Sequence, residues 1–591
     1  MKRKIIPTLA LLVGLAACDT SVLDVSPKDQ ISDKAVFADP NLATAFLNDI
    51  YIGMGHGLYE VQLSSVVDEA QMIHTYGTDR IVQATVSPSD RGAFTRGDYN
   101  HWDWNDLYFR IRQTNVFLSQ IDDANFDPQV KERLKGQAYF LRAYFYHNLL
   151  RIYGGVPLIT KVYGLNEDYE IARSSFEETV NFVVANADSA AALLPVDWPS
   201  SDLGRATKGA ALALKARTLL YAASDLYHVN PSGMPETGYT TSQDRRAFWQ
   251  AAKDAAKAVM DLGIYGLYRP NPADTAEARQ NYADLFLQQR TEETILNRYF
   301  LVTRGDGYHP GLHNGPNGYH NWGGNTPLQN LVDDYRMADG SKFDWNNPAH
   351  AAAPYENREP RFYASILFDG APWRERPEDA KALDPYNIIQ TFTMLYVGSD
   401  SFPGLDTRKG PIENWNGAYS GYYLRKFIDP NVNHQFVKQE IPWPFFRYTE
   451  ILLNYAEACI ELGDPANLEE ARGIINQIRR RAGLPELPAG LTQAQLREEY
   501  RAERRVEMAF EEQRYFDVRR WMIAPDVLNK PAYGIEIRLQ GDSRTDRSTW
   551  RNYEYKVVQI QDRRWDDKLY FQPIPFDEIQ RNSLLTQNPG Y

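Results

Sequence analysis

Paired stretches of helix-forming sequence constrain the fold of this chain more than any other feature. Apolar residues recur three and four positions apart across 131–152, which places them on one face of a helix. The stretch 175–194 begins with Ser-Phe-Glu-Glu, a helix-capping signature, and two further helices are predicted at 208–227 and 248–262. Short turns separate these helices. The pairs are expected to stack, because one pair cannot bury its apolar face alone.

A similar pair occurs near the C-terminal end. One helix is predicted around 451–459 and its partner around 471–478, with Gly-Asp-Pro at 463–465 as the turn. Small residues at the crossing points are typical of tetratricopeptide units, although the repeat here is degenerate. The predicted fold class is mainly α, with tetratricopeptide-like helix pairs as the scaffold.

The N-terminus predicts export and lipidation. A basic start is followed by a short apolar run and by Leu-Ala-Ala-Cys at 15–18, which is typical of a secretory signal. A cysteine directly after the small pair resembles a bacterial lipobox, so we expect cleavage before Cys18 and acylation of its thiol. Such a chain would be anchored to a membrane. The alternative is an ordinary signal peptide with an incidental cysteine.

Composition narrows the possible functions. Cys459 is the other of two cysteines, and its helical context predicts a buried, inert thiol. The formal net charge of −13 argues against a nucleic-acid partner. Aromatic residues make up 13% of the chain, with 37 Tyr and 12 Trp, and we expect part of this excess to be exposed for ligand contact.

Composition also shifts along the chain, where Gly, Pro, Asn, Trp and Tyr crowd together after about residue 303. Long loops inside a compact domain are commonly functional, and the aromatic content argues against disorder. The predicted organisation is a lipoprotein signal peptide (1–17), a lipidated tether (18–39), a helical scaffold (40–302), a loop-rich, aromatic-rich ligand-binding insertion (303–440), the scaffold continued (441–525) and a mixed C-terminal segment (526–591).

Several stretches, in this order, resemble the SusD/RagB family of outer-membrane nutrient-binding lipoproteins. The resemblance runs from Cys18 to the last residue. The matching stretches are KGQAYFLRAYFY (135–146), RIYGGVPL (151–158), NREPRFYASI (357–366), RYTEILLNYAEA (447–458), IRRRAGLP (478–485), ERRVEMAFEEQRYFDVRRW (503–521), PIPFDEI (573–579) and QNPGY (587–591).

The resemblance implies a function as well as a fold. It implies a lipid-anchored protein on the outer membrane, exposed at the cell surface. It further implies capture of oligosaccharides and their delivery to a SusC-like TonB-dependent transporter. The identity of the glycan is not implied, because members of the family differ most in the loops that would contact it.

Two aromatic loops are the candidate binding site. In the family, ligand contacts generally come from the loop before a Trp-containing helix and the loop before a Pro-x-Gln-x-Leu-Val stretch. Aromatic rings stack on the apolar faces of sugars, and polar side chains bond the hydroxyl edges. Core packing is the alternative for the large rings, and it is the expected role of Trp104. The predicted ligand-binding residues are Tyr99, Asn100, Trp102, Asp103, Tyr319 and Trp322.

No sequence motif predicts catalysis, a cofactor or a metal site. One helix is predicted across 501–521. On this helix Glu503, Glu507 and Glu511 alternate with arginines, which favours ion pairs between helices over a metal centre. The three histidines at 309, 313 and 320 are interpreted as polar loop residues. A secreted glycoside hydrolase, with two facing carboxylates, stays an alternative. A lid or scaffold subunit that never touches ligand is another.

Overall fold

The computed structural model describes residues 33–95, 101–164, 166–242, 244–304 and 309–591. The predictions at Cys18, Tyr99 and Asn100 therefore lie outside the described residues, as do the signal peptide and most of the tether. Within the described ranges the chain forms 21 α-helices and ten β-strands. No helix in these ranges is long and apolar enough to cross a membrane.

The elements are numbered in chain order. The helices are α1 (Asp33–Val36), α2 (Pro40–Ile52), α3 (Thr78–Val82), α4 (Trp104–Ile121), α5 (Pro128–Tyr153), α6 (Phe176–Leu193), α7 (Lys208–Ala223), α8 (Asp225–Val229), α9 (Arg245–Met260), α10 (Thr275–Leu285), α11 (Pro310–Asn314), α12 (Gln329–Val332), α13 (Pro348–Ala352), α14 (Pro360–Ser365), α15 (Glu378–Lys381), α16 (Tyr448–Leu462), α17 (Pro465–Arg481), α18 (Gln493–Glu507), α19 (Arg514–Arg520), α20 (Ala524–Leu528) and α21 (Phe576–Arg581). The strands are β1 (Ala70–Met72), β2 (Thr294–Arg298), β3 (Asn325–Pro327), β4 (Ile366–Leu367), β5 (Met394–Val397), β6 (Asp400–Phe402), β7 (Tyr423–Leu424), β8 (Trp443–Arg447), β9 (Ala532–Gly541) and β10 (Arg551–Gln561).

A row of long helices forms the scaffold. Helices α4, α5, α6 and α7 pack each on the next, α7 packs on α9, and α9 packs directly on α16. Helix α16 then contacts both α17 and α18. The scaffold is therefore continued by helices far apart in sequence. This row of paired helices confirms the predicted mainly α fold class.

Local signals in the sequence determine where several helices begin and end. Ser175 and Glu178 form a reciprocal capping box at the start of α6, as their spacing predicted. Gly463, in the left-handed conformation with φ 76°, ends α16 before the turn to α17. Cys459 is fully buried in α16, which confirms its predicted burial, and this burial raises the pKa of its thiol to about 12.

The prediction of one continuous helix across 501–521 is wrong. The chain leaves the helix after α18 and resumes in α19, with Phe510 and Glu512 in the left-handed region at φ 62° and 59°. Between them, the Glu511 carboxylate accepts from Arg447 Nε at 2.7 Å and from Lys426 Nζ at 2.7 Å. The helix is therefore interrupted where Glu511 forms tertiary ion pairs. The apolar periodicity of the sequence does not show this interruption.

Buried ion pairs bind the scaffold to the loop-rich segment. Glu503 accepts from Arg361 Nη1 at 2.5 Å, and Glu507 accepts from the same nitrogen at 2.9 Å and from Arg447 Nη1 at 2.9 Å. Arg481 also pairs with Glu507. All of these side chains are buried. The predicted interhelical ion pairs are thereby confirmed.

Short strands organise the rest of the chain. Strands β5 and β6 join the C-terminal hairpin of β9 and β10 in a four-stranded sheet of order β10-β9-β5-β6. The β5–β9 pair is parallel, and the other two pairs are antiparallel. Three two-stranded sheets pair β1 with β3, β2 with β8 and β4 with β7. The β1–β3 pair positions the candidate site.

Candidate functional site

The pairing of β1 with β3 brings two distant loops together. Met72, the last residue of β1, lies opposite Asn325, the first residue of β3, in an antiparallel register. The backbone pairing continues past the strands, where Ile73 N donates to Gly324 O at 3.0 Å. Residues just after β1 and just before β3 therefore lie side by side.

Trp322 is displayed at this junction. Its side chain is 38% exposed, and its carbonyl oxygen accepts from His74 Nε2 at 3.1 Å. One face of the indole stacks on the His313 ring, with centroids 5.3 Å apart and planes within 22°. Burial, and after it the charge of His309, lower the pKa of His313 to about 4, so the ring is neutral under Trp322 at pH 7. The indole is therefore supported from below by an uncharged ring.

The turn after β1 presents Tyr76. Thr75 and Tyr76 have φ angles of 64° and 42°, and Gly77 follows at 83°. Left-handed backbone is costly for a β-branched threonine, and such strain clusters at functional sites. The Tyr76 ring is 42% exposed and lies 5.9 Å from the His74 ring. Burial and a hydrogen bond to the Glu60 carboxylate raise the pKa of Tyr76, so its hydroxyl stays protonated.

Trp415 completes the exposed cluster from a third segment. Its indole is 68% exposed and stacks on His74, with centroids 5.9 Å apart and planes within 23°. The neighbouring Asn416 is held by Glu413, which accepts from the Asn416 backbone at 3.0 Å and from its side chain at 3.1 Å. The carbonyl of Asn416 comes so close to Gly323 that a Cβ there would lie 2.3 Å from it. A glycine at 323 is thus required for the close approach of the two tryptophan loops.

We call His74, Tyr76, Trp322 and Trp415 the Trp322 patch. The histidine lies at its centre and contacts the other three members. The three exposed rings offer apolar faces, and the Tyr76 hydroxyl and Glu60 offer polar atoms at the margin. Such an arrangement suits a ligand with flat apolar faces and hydroxyl edges.

Trp102 and Asp103, the described candidates of the first predicted loop, point inward instead. Trp102 is only 4% exposed, with the Arg151 guanidinium 4.6 Å from its ring centroid and Phe516 beyond at 6.0 Å. Asp103 is also buried, where it caps α4 through Asn105 N at 3.3 Å and pairs with Arg91. Neither side chain is available on the surface. Trp104 is buried as well, which confirms its predicted packing role.

Tyr319 lies in a small second core rather than on the surface. Its ring is fully buried, in a cluster that also includes Tyr423. Its hydroxyl donates to the carbonyl oxygen of Arg374 at 2.9 Å, and the Arg376 guanidinium lies 4.2 Å from the ring centroid. Among the described members of the predicted set, Trp322 keeps an exposed ring, whereas Trp102, Asp103 and Tyr319 have structural positions.

Sequence reasoning missed His74, Tyr76 and Trp415. The segment His-Thr-Tyr-Gly at 74–77 directly follows a short apolar strand, and a turn with an aromatic residue before glycine was a usable signal. Trp415 lies in Glu-Asn-Trp-Asn-Gly, within the aromatic-rich segment after residue 303. Nothing in the sequence shows that these segments meet. The β1–β3 pairing brings residues 74–77 to Trp322, and the contact of Asn416 with Gly323 brings in Trp415.

The fold and the patch together define a class of protein in which paired scaffold helices carry loops with an exposed aromatic surface. Comparison with models of known protein families assigns the chain to a family. A model of the SusD family matches residues 291–591, and a family model described as "Starch-binding associating with outer membrane" matches residues 22–220. Because the first match covers just over half of the chain, this protein belongs to the SusD family.

Individual relatives support the assignment over most of the chain. SusD-like protein P25 of Formosa agariphila is 24% identical over 502 residues, which span 83% of this chain and 79% of the relative. A solved SusD-like protein from Bacteroides fragilis superposes with a TM-score of 0.73 at 29% identity and covers 96% of this chain and 100% of its own. A solved laminarin-binding SusD-like protein superposes with a TM-score of 0.61 at 19% identity, covering 93% and 99%, which shows a common fold.

Proposed function

We propose that this protein captures oligosaccharides on the Trp322 patch and delivers them to a SusC-like TonB-dependent transporter. The single observation that carries the proposal is the convergence of three exposed aromatic rings, Tyr76, Trp322 and Trp415, around His74. Soluble proteins seldom gather large exposed rings without a binding role. Membership of the SusD family supports the same role.

Sugar chemistry fits the patch physically. A pyranose ring has C–H faces that stack on indole and phenol rings, and its hydroxyls need hydrogen-bond partners at the edge. The Tyr76 hydroxyl and the carboxylate of Glu60 lie at one margin of the patch. The rings are held in place by strands and by stacking on His74 and His313, so little order has to be gained on binding.

The cellular setting of the proposal comes from the N-terminus and from relatives. A thioether lipid on Cys18 would tether the protein to the outer membrane, with the binding face exposed at the cell surface. One matching family is described as starch-binding and associating with the outer membrane, and one relative of the same fold is described as laminarin-binding. These descriptions support a glycan ligand and a membrane location. No enzyme activity is part of the proposal.

Titration calorimetry tests the binding role. The wild type, lacking residues 1–18, is titrated with neutral oligosaccharides from laminarin, starch and xylan and with acidic ones from alginate. Trp322→Ala and Trp415→Ala should each weaken binding by about 1–3 kcal/mol, by analogy with aromatic residues that stack bases. Phe109→Ala, which removes an exposed ring of the scaffold helix α4, is the matched control and should bind normally.

Two results would contradict the proposal. One is that none of these glycans binds to the wild type. The other is that both tryptophan variants bind as tightly as the wild type while remaining folded by circular dichroism. Chromatography of the glycan after incubation also separates a binder from a hydrolase, because a binder leaves the chain length unchanged.

A further inference from the structure

A second surface depression lies next to the Trp322 patch, and the patch does not include it. It is an open groove of about 560 Å³, a volume within the range of ligand sites. One wall comes from the segment that contains Arg374 and Asp379, and the other comes from the loop that contains Asn433 and Phe436. His320 also lines the groove. We call this depression the Phe436 groove.

Two connections hold the groove beside the patch. His320 lies two residues before Trp322, so their Cα atoms are at most about 7 Å apart along the chain. On the other side, Gly311 of α11 packs so closely on His434 that a Cβ would lie 2.2 Å from the imidazole Cγ. His313 of the same helix stacks on Trp322. The groove and the patch are therefore neighbouring parts of one surface.

Phe436 gives the groove an apolar face. Its side chain is 73% exposed, which makes it the most exposed large apolar side chain of the described residues. The loop that carries it is anchored by its own backbone, where Phe436 N donates to Asn433 O at 3.1 Å. A ring that contributes so little to the core is available for stacking on a ligand.

Arg374 gives the groove an uncommitted donor. In the described part of the chain its guanidinium hydrogen-bonds Asn433 Oδ1 at 3.2 Å and pairs with no carboxylate. By contrast, the nearby Arg376 is neutralised by Asp384 and Asp406, each at 2.7 Å. Arg374 is positioned from below by the Tyr319 ring, whose centroid lies 5.2 Å from the guanidinium carbon. The buried Tyr319 ring thus contacts Arg374 of the groove and is not part of the Trp322 patch.

The rim of the groove is rich in acceptors. Glu375 and Glu378 share Lys381, at 2.6 and 3.6 Å, and Asp379 contacts His320 at 3.1 Å. These carboxylates outnumber the free cations at the groove, so an anionic chain would be repelled. A hydroxyl-rich, uncharged ligand can donate to the carboxylates and accept from Arg374.

We propose that the Phe436 groove is a second subsite for the same glycan. The ligand is then an uncharged oligosaccharide long enough to lie across both the Trp322 patch and the groove. This inference rests on the proposed function, because it assigns the ligand class and length for the same binding surface. A glycan already bound at one subsite is held close to the other. The second contact is then intramolecular, which raises the overall affinity.

A chain-length series tests the inference. Disaccharides, tetrasaccharides and octasaccharides from laminarin, starch and xylan are titrated into the wild type, Phe436→Ala, Arg374→Gln and Trp322→Ala. For the glycan that binds, wild-type affinity should rise with chain length. Phe436→Ala and Arg374→Gln should weaken octasaccharide binding roughly 5- to 150-fold and leave disaccharide binding unchanged. Trp322→Ala should weaken binding at every length.

The controls separate this inference from the proposed function. Phe109→Ala and thermal unfolding of each variant control for nonspecific effects and for misfolding. If Trp322→Ala weakens binding but Phe436→Ala leaves octasaccharide affinity unchanged, the second subsite is wrong and the proposed function stands. If Trp322→Ala and Trp415→Ala both leave binding unchanged, or if no glycan binds the wild type, both the second subsite and the proposed function fall. Tighter binding of alginate oligosaccharides than of neutral ones of equal length would overturn the assigned ligand class.

Discussion

Gly323 is the residue on which the geometry of the Trp322 patch most depends. It has φ of 52°, and a Cβ would lie 2.3 Å from the carbonyl oxygen of Asn416. Gly323→Ala should therefore push apart the loops that carry Trp322 and Trp415. We expect glycan affinity to fall at least tenfold, or about 1.4 kcal/mol, as measured by calorimetry.

A matched control separates the collision from backbone strain. Gly398, in the turn between β5 and β6, has a similar φ of 59° but no atom within 4 Å of its would-be Cβ. Gly398→Ala should lose about 1–2 kcal/mol of stability from the left-handed conformation alone and keep full affinity. Equal affinities for the two alanine variants would show that the close approach at Gly323 is unimportant for binding.

Glu69 predicts a specific dependence of stability on pH. Burial, partly opposed by Arg505 and reinforced by Asp68, raises the pKa of this carboxyl from 4.5 to about 8. Between these two pKa values, Glu69 is protonated in the folded chain and ionised in the unfolded chain. The contribution of the protonated carboxyl to the free energy of unfolding is therefore fully present below the unfolded pKa and is lost as pH rises through the folded pKa. Glu69→Gln, which stays neutral, should gain unfolding free energy relative to the wild type between pH 4.5 and 8.

Urea denaturation at several pH values measures this difference. The exposed Glu132 of α5 offers a control, because Glu132→Gln makes the same chemical change in solvent. The free-energy difference between that variant and the wild type should vary little over the same range. If the free-energy difference between Glu69→Gln and the wild type also stays constant with pH, Glu69 is ionised in the folded protein.

At the scale of elements, sequence predicts the scaffold better than the site. The starts and ends of helices such as α6 are encoded locally, by Ser175 and Glu178. Exposure of an aromatic ring is not encoded locally. Trp102 and Trp322 occur in similar polar, aromatic loops, yet one packs against Phe516 and the other stacks on His313 at the surface. The difference arises from tertiary contacts.

Helix α18 also depends on tertiary charge pairing. Glu507 is completely buried and accepts from Arg361, Arg447 and Arg481. Glu507→Gln leaves these guanidinium groups without a shared counter-charge, so we expect a loss of about 3–5 kcal/mol in the free energy of unfolding. Urea denaturation measures it.

The control for this prediction is a surface ion pair. Asp122 pairs with Lys135 at 2.7 Å, but its side chain is 62% exposed. Asp122→Asn should change stability little, because solvent screens the pair. A loss of stability at Glu507→Gln no larger than at Asp122→Asn would mean that the buried network contributes nothing beyond a surface pair.

At the scale of the whole molecule, we propose that location in the cell depends on lipidation of Cys18. Cys18→Ala should remove the lipid anchor and release the protein from outer-membrane fractions. Immunoblotting of membrane and soluble fractions measures this release. A wild-type chain that mass spectrometry shows to have an intact N-terminal Met1 or an unmodified Cys18 would contradict the prediction.

Delivery to a transporter predicts a stable assembly. Gentle detergent extraction of native membranes, followed by affinity purification of this chain, should recover a large TonB-dependent protein in near-equal amount. Trp322→Ala should recover the same partner, because the patch is assigned to glycan rather than to protein. Repeated recovery of this chain alone would argue against the partner.

A crystal structure of the protein with a bound oligosaccharide would show whether glycan lies on the Trp322 patch. The neutral glycan that binds most tightly in calorimetry is the ligand to use. We expect sugar rings stacked on the indoles of Trp322 and Trp415, with a hydroxyl hydrogen-bonded to Tyr76. A saccharide bound with full occupancy elsewhere on the chain, with the patch exposed to solvent, would contradict the claim.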